Sequence, residues 1–439
     1  MADLILLNGN VLTMNDDQPK ATAVVVSNGN IVYVGDDVGA RDFANDHTEV
    51  INLQGKTLMP SFIESHTHPP HYGLNLLEVN CSGAANSSVQ DILDRIQEAA
   101  KDTPPGEWIK GWGWDDSKLA EKRYPTLQEL DKVAPNHPVF LKRTCSHMAV
   151  LNSKAMELSG ISKDTPNPSG GNIAKDENGE LMGLLQENAM QAVPLPKSSV
   201  DDMIKGLSLA QKDFAKWGIT TVHDMSGQQD NMIAYQRMVQ DGTLKVRVRP
   251  WIRATTHNLS VGLLDEMIAL GIRSGFGNEM VKIQGMKATL DGSVGGRTAA
   301  VSEPYEDDES TGILYYDADH IAPYVKRAAE AGLRFSMHAI GDRTIEVVLQ
   351  AYEEAQKSVD ITKMRSRIEH CALPTDDHLE RIKKLGLIAA SSVGFLYSIG
   401  DSYLKNLGPE RMTRVFPHKL FKEYGIVAPG NSDLPVTDG

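Results

Sequence analysis

Apolar and polar positions along the 439-residue chain fall into two rhythms. Up to residue 57 the apolar runs are short and alternate with polar positions, which predicts strands at 4–7, 10–14, 21–27 and 31–35. Asn8-Gly9 and Asn28-Gly29 separate them, dipeptides that suit tight hairpin turns. A small antiparallel β domain over 1–57 is the expected result. Beyond it, apolar runs alternate with amphipathic stretches of helical period. Strands are expected at 57–65, 218–223, 244–252, 280–290, 333–338, 366–370, 386–391 and 425–428. Helical patterns cover 202–217, 322–331, 344–356 and 376–385. Eight strand-then-helix units predict a parallel (β/α)8 TIM-like barrel of the α/β class over 58–439.

Residues from about 70 to 200 break that rhythm. They contain Trp108, Trp112, Trp114 and a Pro/Gly-rich patch at 166–171, and read as a long insertion after the first barrel strand, folding over the barrel mouth. The two tryptophans Trp112 and Trp114 are expected to pack the insertion against the barrel. No internal repeat or low-complexity tract is visible. The chain stops at Gly439, only six residues after Asp433, where a barrel of this kind would continue. A truncated sequence is the expectation.

Composition narrows the class. Hydrophobic residues are 41% and charged residues 23%, which fits a soluble globular protein. A net charge of −14 argues against a nucleic-acid or anionic-membrane partner. Cys81, Cys145 and Cys371 are too few and too scattered for a disulfide framework or a zinc ribbon, and point to a reducing compartment. The N-terminus has no basic region before its short apolar run, so no signal peptide is expected. No stretch is long enough to span a bilayer. Cytoplasm is the expected location, a small molecule the expected partner, and homo-oligomerisation is left open.

The chemistry begins at His66-Thr67-His68, where an apolar run ends. Two imidazoles one residue apart on a strand share a face, the arrangement that grips one metal ion. Lys287, His338, His370 and Asp433 each fall at an expected strand end, and in a parallel barrel that end carries the chemistry. Four imidazoles and a carboxylate can hold two divalent ions. A lysine joins them only after losing its proton and adding carbon dioxide, which requires a buried amine with a depressed pKa. Two such cations would share a water acidified toward neutrality. Other readings stay open at this level. His338 and His370 could be core histidines and Asp433 a helix N-cap; an uncarboxylated Lys287 would leave a single ion.

The chain resembles the amidohydrolase superfamily, and within it the YtcJ-like metal-dependent hydrolases, which include N-substituted formamide deformylase. The resemblance rests on Phe62-Ile63-Glu64-Ser65-His66-Thr67-His68, Gly111-Trp112-Gly113-Trp114-Asp115 and Ser146-His147-Met148-Ala149-Val150-Leu151-Asn152-Ser153. It continues through Gly183-Leu184-Leu185-Gln186-Glu187, Lys287-Ala288-Thr289-Leu290-Asp291-Gly292-Ser293, His338-Ala339-Ile340-Gly341-Asp342, Arg367-Ile368-Glu369-His370 and Asn431-Ser432-Asp433. These motifs keep the family order from end to end.

The resemblance implies that His66, His68 and Asp433 bind the more buried ion. It implies that His338 and His370 bind a second, with carboxylated Lys287 between them. Asp433 would take the proton of the attacking water and pass it to the leaving nitrogen. Lys282 competes for the bridging place, but lies five residues from Lys287 and so on the opposite face of a regular strand. The family pattern, four residues before Asp291-Gly292, selects Lys287. His147 and Asp291 are the expected substrate contacts. Zinc leads among the metals, with manganese, iron and nickel also suited to these ligands.

The implied activity is hydrolysis of a non-peptide carbon–nitrogen bond, such as an N-substituted formamide, by a metal-activated water. The alternatives are a deaminase of a cyclic amidine, or a truncated or inactive metal-binding homologue. In relatives the small β domain draws on both chain ends, so its C-terminal half is expected to be missing here. Glu369, beside His370 but on the other face, reads as structural, and His223 has no assigned role. His71, His137, His257, His320, His378 and His418 read as surface or loop positions.

Overall fold

A computed structural model describes residues 2–116, 118–144, 148–168, 171–256 and 261–437. It divides into two compact units, Met1–Phe62 and Ile63–Gly439.

In the first unit, Leu4–Leu7 lies between Ala23–Ser27, antiparallel to it, and Glu49–Asn52, parallel to it. Asn30–Gly35 completes this four-stranded sheet. The hairpin before it turns through Asn28 and Gly29, with φ of 49° and 73°, the paired left-handed residues that match strand twist. Ile5, Leu7, Ala23, Val25 and Ala40 form its core. A second sheet of three short strands joins Lys20–Ala21, Asn10–Leu12 and Thr57–Leu58.

In the second unit, parallel pairing orders Phe62–Thr67, Ile219–Asp224 and Arg247–Val248 in one sheet. Trp251–Arg253, Gly285–Thr289, Arg334–Ala339, Arg367–His370 and Ile388–Ser391 form another. Parallel bridges join Gly227 to Ile252, Ser391 to Gly430 and Thr67 to Leu434. The expected strand at 244–252 is split at Pro250, which has no N–H to give the ladder. The expected strand at 425–428 is not one. That stretch runs beside Ile388–Ser391, donating no regular ladder, and only Gly430 forms a bridge. Pro429 again removes a donor.

These strands invert the usual alternation. Met286 and Ala288, Phe335 and Met337, Ile368 and Ala389 face outward into an apolar layer with the helices Ala318–Glu330, Asp342–Gln356 and Asp376–Lys384. The intervening positions are polar: Lys287, Ser336, His338, Arg367 and Glu369. They meet across a common interior, because His66 touches Glu369 and His223 touches Arg367, pairs on strands that are not neighbours.

Residues 79–187 build a six-stranded sheet in the order Gly171–Lys175, Leu181–Glu187, Met148–Leu151, Val139–Arg143, Ile109–Trp114 and Val79–Asn80. Trp114 is fully buried there with Ile92, Ile96 and Leu130 from the helices Val89–Asp102 and Leu127–Val133. Both helices start with a capping box, Ser88 with Asp91 and Thr126 with Glu129.

The helix Pro69–Asn75, which follows His68 directly, seats on Val200–Lys216 through a glycine pair. A methyl group at Gly73 would lie 2.5 Å from the Gly206 carbonyl carbon, so the two backbones approach as only glycine permits. Among the described residues no helix is long and apolar enough to cross a membrane.

Candidate metal centre

The site grows from the ends of the parallel strands. His66 is the penultimate residue of Phe62–Thr67 and is 1% exposed, while His68 caps the following helix. Asp433 arrives beside them because the backbone bonds His68 N–H to Leu434 O and Asp433 N–H to His66 O, at 2.9 and 3.2 Å. His66 Nε2 and His68 Nε2 each lie 3.2 Å from Asp433 Oδ1. These three donors sit within 4.8 Å of one another. Asp433 Oδ1 is nevertheless buried without a hydrogen bond to any described residue. Three lone-pair atoms pointing at one space, with the carboxylate oxygen left unsatisfied, is an arrangement a divalent cation completes. The residues fit a metal.

Surrounding partners fix which nitrogen is free in the rings of His66, His370 and His338, while His68 Nδ1 is buried without a partner among the described residues. Glu369 Oε2 lies 2.6 Å from His66 Nδ1, so that nitrogen donates and Nε2 keeps its lone pair. His370 Nδ1 lies 2.7 Å from the Ser392 hydroxyl, which donates to Asn431 Oδ1 at 2.8 Å. The free nitrogen of His370 is therefore Nε2. His338 Nε2 donates to Gly292 O at 2.9 Å, leaving Nδ1. The rings of His66 and His370 are 4.7 Å apart, and those of His370 and His338 are 4.4 Å apart. His370, Cys371 and Asp433 hold left-handed backbone, with φ of 66°, 47° and 53°. Strain of this kind persists only where the surroundings over-determine it, and here it falls on two expected ligands.

Lys287 is 2% exposed, and it makes no hydrogen bond or ion pair with a described residue. Its register neighbours are Arg253 and Ser336. Burial first, then the nearby Arg253 and Arg367 guanidinium groups, bring its amine down to about 7. The His370 imidazole is pushed well below its usual range by burial and by the His338 and His66 rings. Burial alone would raise Asp433 and Glu369. The imidazoles beside Asp433 hold its carboxyl well below the usual range, and Arg367 with His66 does the same for Glu369. His66 is raised overall, because Asp433 and Glu369 outweigh its burial.

The structure thus brings His66, His68, His370, His338, Lys287 and Asp433 to one end of the strands. Lys282 pairs instead with Glu279 outside this group. His147 and His257 lie outside the described residues.

Asp291 departs from its expected place at the substrate. It is 1% exposed, and its carboxylate accepts from the N–H groups of Ala300, Ile340 and Gly341 and from the Thr344 hydroxyl. Its Oδ1 also lies 3.2 Å from His338 Nε2. With both oxygens engaged it orients a loop and a histidine, leaving no face for substrate.

Glu369 is structural as expected, but its part is specific. It does face away from His370, but it anchors His66, accepts from Ser336 and pairs with Arg367, whose Nη2 also donates to Ser65 O at 2.7 Å. His223 accepts from Trp251 Nε1 at 3.1 Å and lies 3.2 Å from Arg367 Nη1. His137 and His378 are buried, and His378 lies 3.2 Å from Glu346. Glu346, Asp377 and His378 cluster too, but Arg381 already supplies their cation at 2.6 and 3.0 Å. The sequence signal for Glu369 was its two-residue spacing from Arg367 on a strand with apolar Ile368 between them.

Comparison with known proteins bears on this geometry. A family model described as "Amidohydrolase family" matches residues 49–438. The YtcJ protein of Bacillus subtilis (strain 168) is 31% identical over 437 residues, covering 98% of this chain and 80% of that protein. N-substituted formamide deformylase of Arthrobacter pascens is 26% identical over 443 residues, 99% of this chain and 81% of the deformylase. The crystal structure of an uncharacterized metal-dependent hydrolase from Pyrococcus furiosus superimposes with a TM-score of 0.79 at 30% identity, over 99% of this chain and 86% of that one.

Proposed function

The chain belongs to the amidohydrolase family, and we propose that it hydrolyses a non-peptide amide, with an N-substituted formamide as the first substrate to try. The observation that carries this reading is the convergence of His66 Nε2, His68 Nε2 and the unsatisfied Asp433 Oδ1. We read the parallel strands and the Gly430 and Leu434 bridges as one (β/α)8 barrel whose eighth strand is reduced to two contacts. Residues 1–57 form the small β domain of this reading, and 70–200 the insertion.

His66, His68 and Asp433 would hold one divalent ion. His338 and His370 would hold a second, and Lys287, carboxylated, would serve both. When bound, such ions supply Lewis acidity, polarising a carbonyl and acidifying water. Zinc suits the imidazole and carboxylate donors.

The chain's own groups do the rest. Asp433 takes a proton from the attacking water as the C–O bond forms. It returns that proton to the leaving nitrogen as the C–N bond breaks, giving an amine and a carboxylate. Glu369, Ser392 and the Gly292 carbonyl keep the imidazoles in the tautomers described above. Lys287 is prepared for carboxylation by an amine that is neutral for much of the time near pH 7.

Elemental analysis of protein purified without chelator, followed by an amide panel, tests the proposal. Two equivalents of metal and release of formate from N-substituted formamides are expected. Ammonia from cyclic amidines would favour a deaminase, and a metal-free, folded, inactive protein would overturn the reading.

A further inference from the structure

Next to the histidine and carboxylate cluster lie two cations, Arg253 and Lys142, that make no ion pair with a described residue, although Asp433 and Asp224 act on the first and Glu78 on the second. Arg253 ends the strand Trp251–Arg253 and is the register partner of Lys287, so it shares the polar interior face. Of its five N–H groups, one is bonded within the protein, Nη1 to Thr289 Oγ1 at 2.9 Å. Its Nε is buried with no partner, and no carboxylate of a described residue forms an ion pair with it. Asp224, nearby, is already engaged by Ser226 and Tyr235.

Lys142, on Val139–Arg143, makes no hydrogen bond or ion pair with a described residue either, since the neighbouring Glu78 is taken by Lys110 at 2.8 Å. Its register partner is Trp112, whose indole N–H is buried and unsatisfied. The helix after His68 carries His71 into the same region, its ring 5.8 Å from that of His68. His71 is solvent-exposed, and the Lys142 and Arg253 charges both reach it. Arg253 Nε and Trp112 Nε1 are thus buried donors without acceptors among the described residues, on strands whose charged neighbours both reach the exposed His71 ring beside His68.

Unsatisfied buried donors are costly, and a guanidinium fork matches a carboxylate. We propose that Arg253, with Lys142 and the Trp112 indole N–H, binds a carboxylate that the substrate carries away from its scissile amide. The substrate is then an anionic amide, in contrast to a simple neutral formamide. This inference rests on the hydrolase reading for its amide, but not for its carboxylate subsite.

A matched pair tests it: N-formylphenylalanine against N-(2-phenylethyl)formamide, which differ only by the carboxylate. The metal-loaded protein is expected to favour the acid in kcat/KM by about 100-fold, the worth of one charge-assisted pair. Arg253→Gln should bring the ratio toward one through KM, Arg253→Lys should recover part of it, and Lys142→Gln should reduce it less. An equal loss on both substrates in Arg253→Gln would make Arg253 a support of the metal centre and overturn the proposal. So would a wild-type preference for the neutral formamide.

Calorimetric binding of 4-phenylbutanoate to the metal-loaded protein separates the two readings. Affinity lost in Arg253→Gln, with no formamide cleaved, would sustain the carboxylate subsite and sink the formamide substrate. Affinity unchanged in Arg253→Gln and Lys142→Gln would place the carboxylate on the metal instead. No binding at all would exclude the subsite.

Discussion

Glu369 Oε2 approaches His66 Nδ1 to 2.6 Å between strands of two different sheets, with both side chains almost wholly buried. The same carboxylate answers Arg367 and Ser336, so one residue sets the tautomer of an expected ligand and neutralises a buried cation. Glu369→Gln is expected to weaken metal binding about 10- to 100-fold, the usual cost of a lost supporting carboxylate. It should also cost about 3–5 kcal/mol of stability, because Arg367 stays buried without its partner. Chelator competition and thermal melting read the two effects separately.

The proposed mechanism gives Asp433 a different part, in proton transfer. Asp433→Asn is expected to lower kcat by about 10²- to 10⁴-fold, the usual span for a general acid–base group. The rate must be normalised to bound metal in the same preparation. A loss that disappears on normalisation would make Asp433 a ligand and nothing more.

Lys287 gives the metal-free protein a pH dependence of known sign. Its amine is held at about 7 in the fold against 10.5 when unfolded. Between these values the unfolded chain binds a proton that the fold refuses, so stability falls as pH drops from 10.5 toward 7. Below about 7 both states bind it and the penalty is constant, roughly 5 kcal/mol for the full interval. Lys287→Met should flatten the rise in urea midpoint between pH 7 and 9 in chelator-treated protein. Parallel profiles for the two proteins would assign that slope to other groups.

Asp291 separates a positioning role from substrate contact. Asp291→Ala strands three backbone N–H groups and the Thr344 hydroxyl, each worth about 1–3 kcal/mol when buried and unpaired. A large drop in melting temperature and loss of metal at His338 are expected, with KM for surviving activity unchanged. A stable variant with a raised KM would restore the substrate role.

Gly206 tests how the fold holds His68. Gly206→Val forces apart helices that meet backbone to backbone, at about 1–3 kcal/mol for overpacking. The helix that moves begins at His68, so metal affinity should fall together with the melting temperature. A variant that melts lower but keeps full affinity would uncouple the two.

The positions proposed as ligands stood out because each is local in character: a residue at the end of an apolar run, with two-residue spacing at His66 and His68. Arg367 and Glu369 were not. Charges alternating with an apolar residue usually mark a solvated strand face, and here the polar face is the enclosed one. Asp291 was misjudged because what occupies it, the backbone at 300 and 340–341, comes from loops that no local pattern predicts. The sheet at 79–187 escaped because its strands are short and pair out of order, Gly171–Lys175 lying at the edge beyond Leu181–Glu187 instead of between it and Met148–Leu151. The reduced strand near Gly430 could not be placed by periodicity, since one bridge leaves no period to read.

The bond from the Thr67 hydroxyl to Leu434 O joins residues 367 apart in sequence. A ribosome adding about 5–20 residues per second needs roughly 20–70 s to travel between them. Through that interval the His66 and His68 pair exists without Asp433, so two of the three donors proposed for the first cation precede the third. On the proposed site, tight metal capture would wait for Asp433, so loading would report that the segment around residue 433 has been made and has docked on the strand carrying His66.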